Sequence, residues 1–361
     1  MKKNQKLGWV LAMATLVFVS CSKDQDGESE TQSESINYAS GVLISNEGSF
    51  SSSNASVSHF DLSTAQMSND VFYTVNNRPL GAILQSIYTY ADQTFLIVNV
   101  SNKIEVVKTS DFTEQGVIDD VVSPRYMTVA NGKGYVSQWG TNQGSVKVLD
   151  LNSNTVTKTI QTGVGTEGII EANNLIWAAN GGGYGLDSTV SVIDPVSDVV
   201  VSTVVVGDNP KELVEDVDGN IWVLCAGSTE YDTLWNPVAH TPSELVKINA
   251  STKEVMTTIE ISPNLNPMHL DVNPSGTTIY CGGGSGFNGI YAIDKDATSL
   301  PTSFSILGSF YGFNVNSSNG DVYALSAPSF TENGSLSIYS SAGVLGTERT
   351  VGIGPNGAIF N

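Results

Sequence analysis

The sequence predicts an all-β fold, a seven-bladed β-propeller whose C-terminal strand closes the first blade. Three observations point there. A unit of four short strands recurs along the chain with a period near 43 residues. The composition is strand-forming and rich in turns, with 35 glycines, frequent Val, Ile and Thr, and no long Leu/Ala/Glu/Lys stretch. The two ends of the repeating region each hold part of a unit, and together they make a whole one.

In chain order, residues 1–20 come first. Lys2, Lys3 and Lys6 precede an apolar run of 14 residues, Leu7 to Ser20, too short to span a bilayer and suited to the core of a signal peptide. The run ends in Phe18-Val19-Ser20-Cys21, which resembles a bacterial lipobox with Phe where Leu is usual. Cys21 is then the expected lipidation site, which anchors the chain to a membrane without crossing it. Ser22-Lys23-Asp24-Gln25-Asp26 resembles the signal that sends Bacteroidetes lipoproteins to the outer surface of the outer membrane. Residues 21–40 read as an acidic, lipidated tether.

Residues 41–361 are the expected propeller. The aromatic of the second strand of each unit falls at Phe95, Tyr135, Trp177, Trp222, Tyr280 and Tyr323. A first strand opens upstream of each, at Leu84, Pro124, Thr166, Pro210, Pro267 and Tyr311, in steps of 40, 42, 44, 57 and 44 residues. Third strands read "KIEVVK", "SVKVLDL", "TVSVIDP", "ELVKINA", "GIYAIDK" and "SLSIYSS"; a fourth often ends in Gly, as in "VTKTIQTG". One such sheet cannot cover both of its faces, so the units must stack around an axis. At the start, "GVLISNEGSF", "SVSHFDL" and "MSNDVFYTV" match strands two, three and four, with no first strand ahead of them. Pro355, 44 residues after Tyr311, matches a first-strand start with no strands behind it. The last strand therefore completes the first blade, and closure removes the open sheet edges.

With its "VG..P" and "YVxN…VSVID" repeats, the sequence resembles the YncE-like, quinoprotein-dehydrogenase-like seven-bladed propellers. Through "NEGSF", "LGAILQSI", "VNVSNKIEVV", "SPRYMTV" and "YVSQWG" it resembles in particular the DUF5074-type surface lipoproteins of Bacteroidetes. The resemblance covers nearly the whole mature chain. It speaks strongly for fold and weakly for function, because propellers host many activities.

The loops between second and third strands share a face with the connections between blades. They are rich in Gly, Ser and Asn and carry Phe50, Trp139, Tyr184, Tyr231, Trp235, Phe287 and Phe330. Aromatics beside adaptable polar residues suit a binding face; rings packed beneath their own loops are the plainer reading, expected for about half of them. The longest loop, residues 226–243, accounts for the 57-residue step. One residue after each first-strand start, a column of Gln85, Arg125, Glu167, Lys211, Met268, Gly312 and Asn356 is expected at the mouth of the axial channel. Its varied polar character fits either a funnel that recognises something asymmetric or an ordinary solvated rim.

The formal net charge of −20 argues against nucleic acid and against an anionic membrane surface as partners. It also simply favours solubility. No catalytic residue is assigned. His59, His240 and His269 come with neither a nucleophile elbow nor an HExxH spacing, and the "GGG" runs at 181–183 and 282–284 read as turns. Glu47, Glu167, Glu212 and Asp271 could converge on a channel metal, as in some propeller lactonases, but no spacing supports this and no metal or cofactor is expected. Cys225 and Cys281 read as buried thiols, with a bridge between them left open.

The ligand-binding set is therefore Phe50, Gln85, Arg125, Trp139, Glu167, Tyr184, Lys211, Tyr231, Trp235 and Phe287. The absence of a convincing catalytic constellation favours a binder over an enzyme, and the resemblance adds a specific role. It implies capture of cobalamin or a related corrinoid and delivery to a TonB-dependent outer-membrane receptor. A lactonase-like hydrolase and a glycan- or protein-binding module are the alternatives.

Overall fold

The computed structural model describes residues 37–284 and 286–361. The expected signal peptide, the expected lipidation site Cys21 and nearly all of the expected tether lie outside them. Seven four-stranded antiparallel sheets form the ring. The inner strands of blades 2 to 7 are Leu84–Tyr90, Pro124–Ala130, Thr166–Ala172, Pro210–Glu215, His269–Val272 and Gly312–Val315. In blades 6 and 7 they open slightly later than the expected Pro267 and Tyr311. Blade 1 takes Val42–Asn46, Ser56–Asp61 and Gln66–Ser68 from the start of the ring and its inner strand, Pro355–Phe360, from the end. That clasp is antiparallel, with Val42 opposite Phe360, Leu43 opposite Ile359 and Ile44 opposite Ala358.

Second and third strands are buried along almost their whole length because both of their faces meet a neighbouring blade. Side chains alternate between the faces of a strand. Phe95 and Ile97 accordingly pack with Met127 and Val136 of blade 3, while Leu96 and Val98 pack with Leu43 and Val57 of blade 1. Outer strands instead alternate between exposed and half-buried, as Val199–Val205 does. Each pair of adjacent blades shares one apolar cluster, and the cluster between blades 7 and 1 holds Val351, Ala358 and Phe360 from the C-terminal segment.

A side-chain bond also links every adjacent pair of inner strands. Asn356 Nδ2 donates to Gln85 O at 2.9 Å, and Ser86 Oγ to Arg125 O at 2.6 Å. Arg125 and Lys211 both reach Glu167, at 2.7 and 2.9 Å. Leu270 N donates to Glu212 at 2.7 Å, Val315 N to Asp271 at 2.8 Å and Ala358 N to Asn314 Oδ1 at 2.8 Å. The Asp or Asn that ends several third strands has its own local task. Asp150, Asp194, Asn249 and Asp294 each accept the amide two residues on, at 2.8–2.9 Å, and so fix the following turn.

Two segments differ from the sequence reading. "MSNDVFYTV" is a strand only through Ser68; Val71–Asn76 is a helix. The neighbours Val71 and Phe72 are both buried in the core between blades 1 and 2, and adjacent residues of a strand would face opposite ways. The long insertion is also regular: Ser228–Tyr231 pairs with Pro237–Thr241 as a hairpin standing on blade 5. The chain enters the ring at Tyr38, whose carbonyl accepts from Asn361 Nδ2 at 3.0 Å and whose amide donates to Ser110 O in the outer turn of blade 2. Cys225 and Cys281 are buried free thiols, and burial pushes both upward in pKa.

Candidate functional site

The inner strands begin on the face that carries the loops between second and third strands. Their first residues surround a funnel of about 440 Å³. Gln85, Arg125, Glu167, Lys211, Met268 and Asn356 of the expected column line it, as does Tyr231 from the hairpin. Gly312 does not; Tyr311, one residue earlier, takes that place. Glu47, Tyr126, Asn266, His269 and Gly284 complete the wall.

Glu167 is the electrostatic centre. Its side chain is 1% exposed and accepts from Arg125 Nε and Lys211 Nζ. Burial alone would raise its pKa, but the two cations outweigh burial and hold it down at about 2. The guanidinium of Arg125 lies 4.4 Å from the centre of the Trp139 ring. Trp139 Nε1 is buried there and has no hydrogen-bond partner among the described residues. Across the funnel, Glu47 accepts from Tyr311 Oη at 3.1 Å and Asn356 Nδ2 at 3.0 Å, and burial pushes its pKa up.

Around this mouth stand the rim aromatics. Tyr184, 89% exposed, meets the Trp139 ring edge-on at 5.0 Å. Trp235 is 81% exposed at the tip of the hairpin, 6.1 Å from Tyr231. The tip is built: Asp232 accepts from the amides of Leu234 and Asn236, and Trp235 sits at φ 62°, a strained setting for so bulky a residue. Gly165 has the same positional necessity. A Cβ there would lie 1.9 Å from Gly183 N, so the "GGG" run serves a close passage of two loops. Phe50 is 73% exposed and stands apart from these pairs.

Phe287 is a correction. It is 2% exposed, packed edge-on against Phe304 and Tyr291, and has no surface to offer a ligand. The small third-strand residue Gly289 leaves room for the Phe304 ring, and Phe287 packs on that ring. The sequence reading missed Tyr126, Tyr311 and Asn266. The two tyrosines are direct neighbours of column positions, and a one-residue allowance at each strand start would have found them.

Beneath the funnel lies an axial chamber of about 510 Å³. Gln85, Tyr126, His269 and Asn356 border both spaces. Gln85 Nε2 donates to Tyr126 Oη at 3.2 Å across this waist. Glu212 and Asp271 face the lower chamber, whereas Glu47 and Glu167 face the upper funnel, so the four acids do not converge. Burial pushes Asp271 up to about 6. Burial would lower His269, but Glu212, 3.1 Å from its Nδ1, raises it. Among the described residues there is no group of three or more His, Cys, Asp or Glu placed to hold a metal ion.

A family model described as "Domain of unknown function (DUF5074)" matches residues 40–345. Solved structures share the ring. A quinonprotein alcohol dehydrogenase-like protein of Bacteroides thetaiotaomicron superposes with a TM-score of 0.66 at 15% identity, covering 90% of this chain and 79% of that one. A functionally unknown protein of Desulfotomaculum acetoxidans gives 0.63 at 13%, covering 89% and 99%. The WD40 β-propeller domain of Doa1 gives 0.56 at 13%, covering 81% and 90%. At such identities the likeness shows the fold alone. No curated protein matches the chain.

Proposed function

The chain belongs to the DUF5074 family, and for this member we propose a surface lipoprotein that binds a nutrient ligand over the funnel and passes it to a TonB-dependent outer-membrane receptor. The carrying observation is the contrast among rings on one face: Tyr184 and Trp235 are held almost fully exposed beside a built mouth, while Phe287 is buried. Large apolar surface left in water around a concave polar site favours a binder. The role is binding without turnover.

Cobalamin or a related corrinoid is the ligand this reading commits to. The support is the resemblance to corrinoid-capturing surface propellers, together with chemical fit. A corrinoid is broad, flat in part and rich in amides. Tyr184, Trp235 and Trp139 offer flat surface, and Gln85, Asn266 and Asn356 offer amide partners. Calorimetry and thermal melting of unlipidated residues 22–361 with cobalamin test this. Heat and a raised melting temperature are expected; neither at micromolar protein sinks the corrinoid.

Trp235→Ala and Tyr184→Ala are each expected to weaken binding by about 1–3 kcal/mol with the melting temperature held. Phe287→Ala should do the reverse, lowering the melting temperature and leaving affinity intact. The location has its own test. Cys21→Ala should leave the protein unlipidated and released, and protease added to intact cells should degrade the wild type. A wild type that survives that treatment is not on the outer surface.

A further inference from the structure

The funnel floor has hydrogen-bond donors that nothing among the described residues uses. Arg125 bonds Glu167 through Nε only; its two terminal nitrogens have no partner among the described residues. Lys211 Nζ gives one bond, also to Glu167, and keeps two N–H groups. Both side chains are largely buried, both line the same funnel, and stacking on Trp139 holds the guanidinium plane in place. The side chains are mostly withdrawn from water, yet their free N–H groups stay accessible from the funnel and stand open to an acceptor that enters it. Both cations share the single carboxylate of Glu167, and the other carboxyl lining the funnel, Glu47, is bonded to Tyr311 and Asn356. In a chain with 16 Lys and Arg against 36 Asp and Glu, two of the few cations converge on one funnel.

We propose that Arg125 and Lys211 form an anion subsite at the funnel floor, and that the captured ligand carries a phosphate group which docks there. Two features favour phosphate. The free edge of a guanidinium matches two phosphate oxygens side by side, and the Lys211 ammonium supplies a point charge for a third. The remaining charged groups facing the funnel are compatible. Glu47 is held by Tyr311 and Asn356 on the far wall, and burial pushes its pKa up. His269 is engaged with Glu212 and is biased towards its charged form. This deepens the capture reading and, for the identity of the whole ligand, rests on it.

The test has two arms on unlipidated residues 22–361 at pH 7. In the first, melting temperature is followed against sodium phosphate, with sodium chloride at matched ionic strength as control, and phosphate is watched directly by its phosphorus resonance. Phosphate should raise the melting temperature saturably beyond chloride, and its resonance should broaden. Arg125→Gln and Lys211→Gln should each weaken this response roughly tenfold, while Lys158→Gln, at an exposed lysine outside the funnel, leaves it unchanged. An equal response to chloride, no broadening, or a phosphate response untouched in both variants overturns the subsite. The broadening is read on wild-type protein, so a variant that fails to fold does not remove the test.

The second arm compares cobalamin with cobinamide, a corrinoid without the phosphate-linked nucleotide. Wild type should prefer cobalamin, and Arg125→Gln should erase the preference. Corrinoid binding with no preference, together with no phosphate response, overturns the subsite and leaves the capture reading in place. A phosphate response without any corrinoid binding supports the subsite and removes the corrinoid.

Discussion

Removal of residues 351–361 is expected to lower the stability of the ring by at least about 5 kcal/mol, far more than the loss of an ordinary tail. The eleven residues supply the whole inner strand of blade 1, in ladder with Val42–Asn46. They take Val351, Ala358 and Phe360 out of the cluster between blades 7 and 1, where Phe360 meets Tyr323 edge-on at 4.9 Å. They also remove Asn356, whose amide ties blade 1 to Gln85 O and to Glu47. Each large apolar side chain contributes about 1.5–3 kcal/mol on burial, and the exposed edge of Val42–Asn46 would be left open to another chain. Urea or thermal unfolding of wild type and truncated chain measures the difference. Equal midpoints would mean that the ring does not depend on its clasp.

The second large effect is expected from Glu167→Gln, a loss of about 3–5 kcal/mol, because it strands two buried cations around a neutral amide. Glu167 links three consecutive blades, so its loss is felt on both sides. The effect should follow pH in a defined direction. The folded value lies near 2 against an ordinary 4.5. The charged form is therefore the one that folding favours. The stabilisation is complete above about pH 4.5 and is lost as pH falls from there towards 2. The gap between wild type and variant, measured by denaturation across that range, should close on acidification. A gap that stays constant down to pH 2.5 would mean that the charge of Glu167 is not what holds the three blades.

The blade pattern was legible because it is dictated by burial. Second and third strands such as "TFLIV" and "SVKVLD" must be apolar on both faces, and the Asp or Asn that fixes the next turn repeats with them. The clasp was legible for the same reason, since Pro355 repeats a position that Pro124 and Pro210 occupy. The helix Val71–Asn76 was not, because "VFYTV" satisfies strand propensity and only the shared core pocket of Val71 and Phe72 decides against it. In the site, the strand starts fixed the positions of Gln85, Arg125, Glu167 and Lys211, so counting was enough to bring them together. Their mutual pairing was not readable, because it depends on how far neighbouring blades turn towards each other. Phe287 and Tyr184 have the same composition around them, and only the local loop path buries one and exposes the other.

The entry point of the chain at Tyr38 gives the ring a front and a back. Tyr38 is pinned to Asn361 and Ser110, at the ends of strands that run away from the funnel. Tyr38 and Asn361 therefore sit together on the back of the ring, so neither of them shades the mouth, and the open end of the funnel is bordered by loops and the blade 5 hairpin alone.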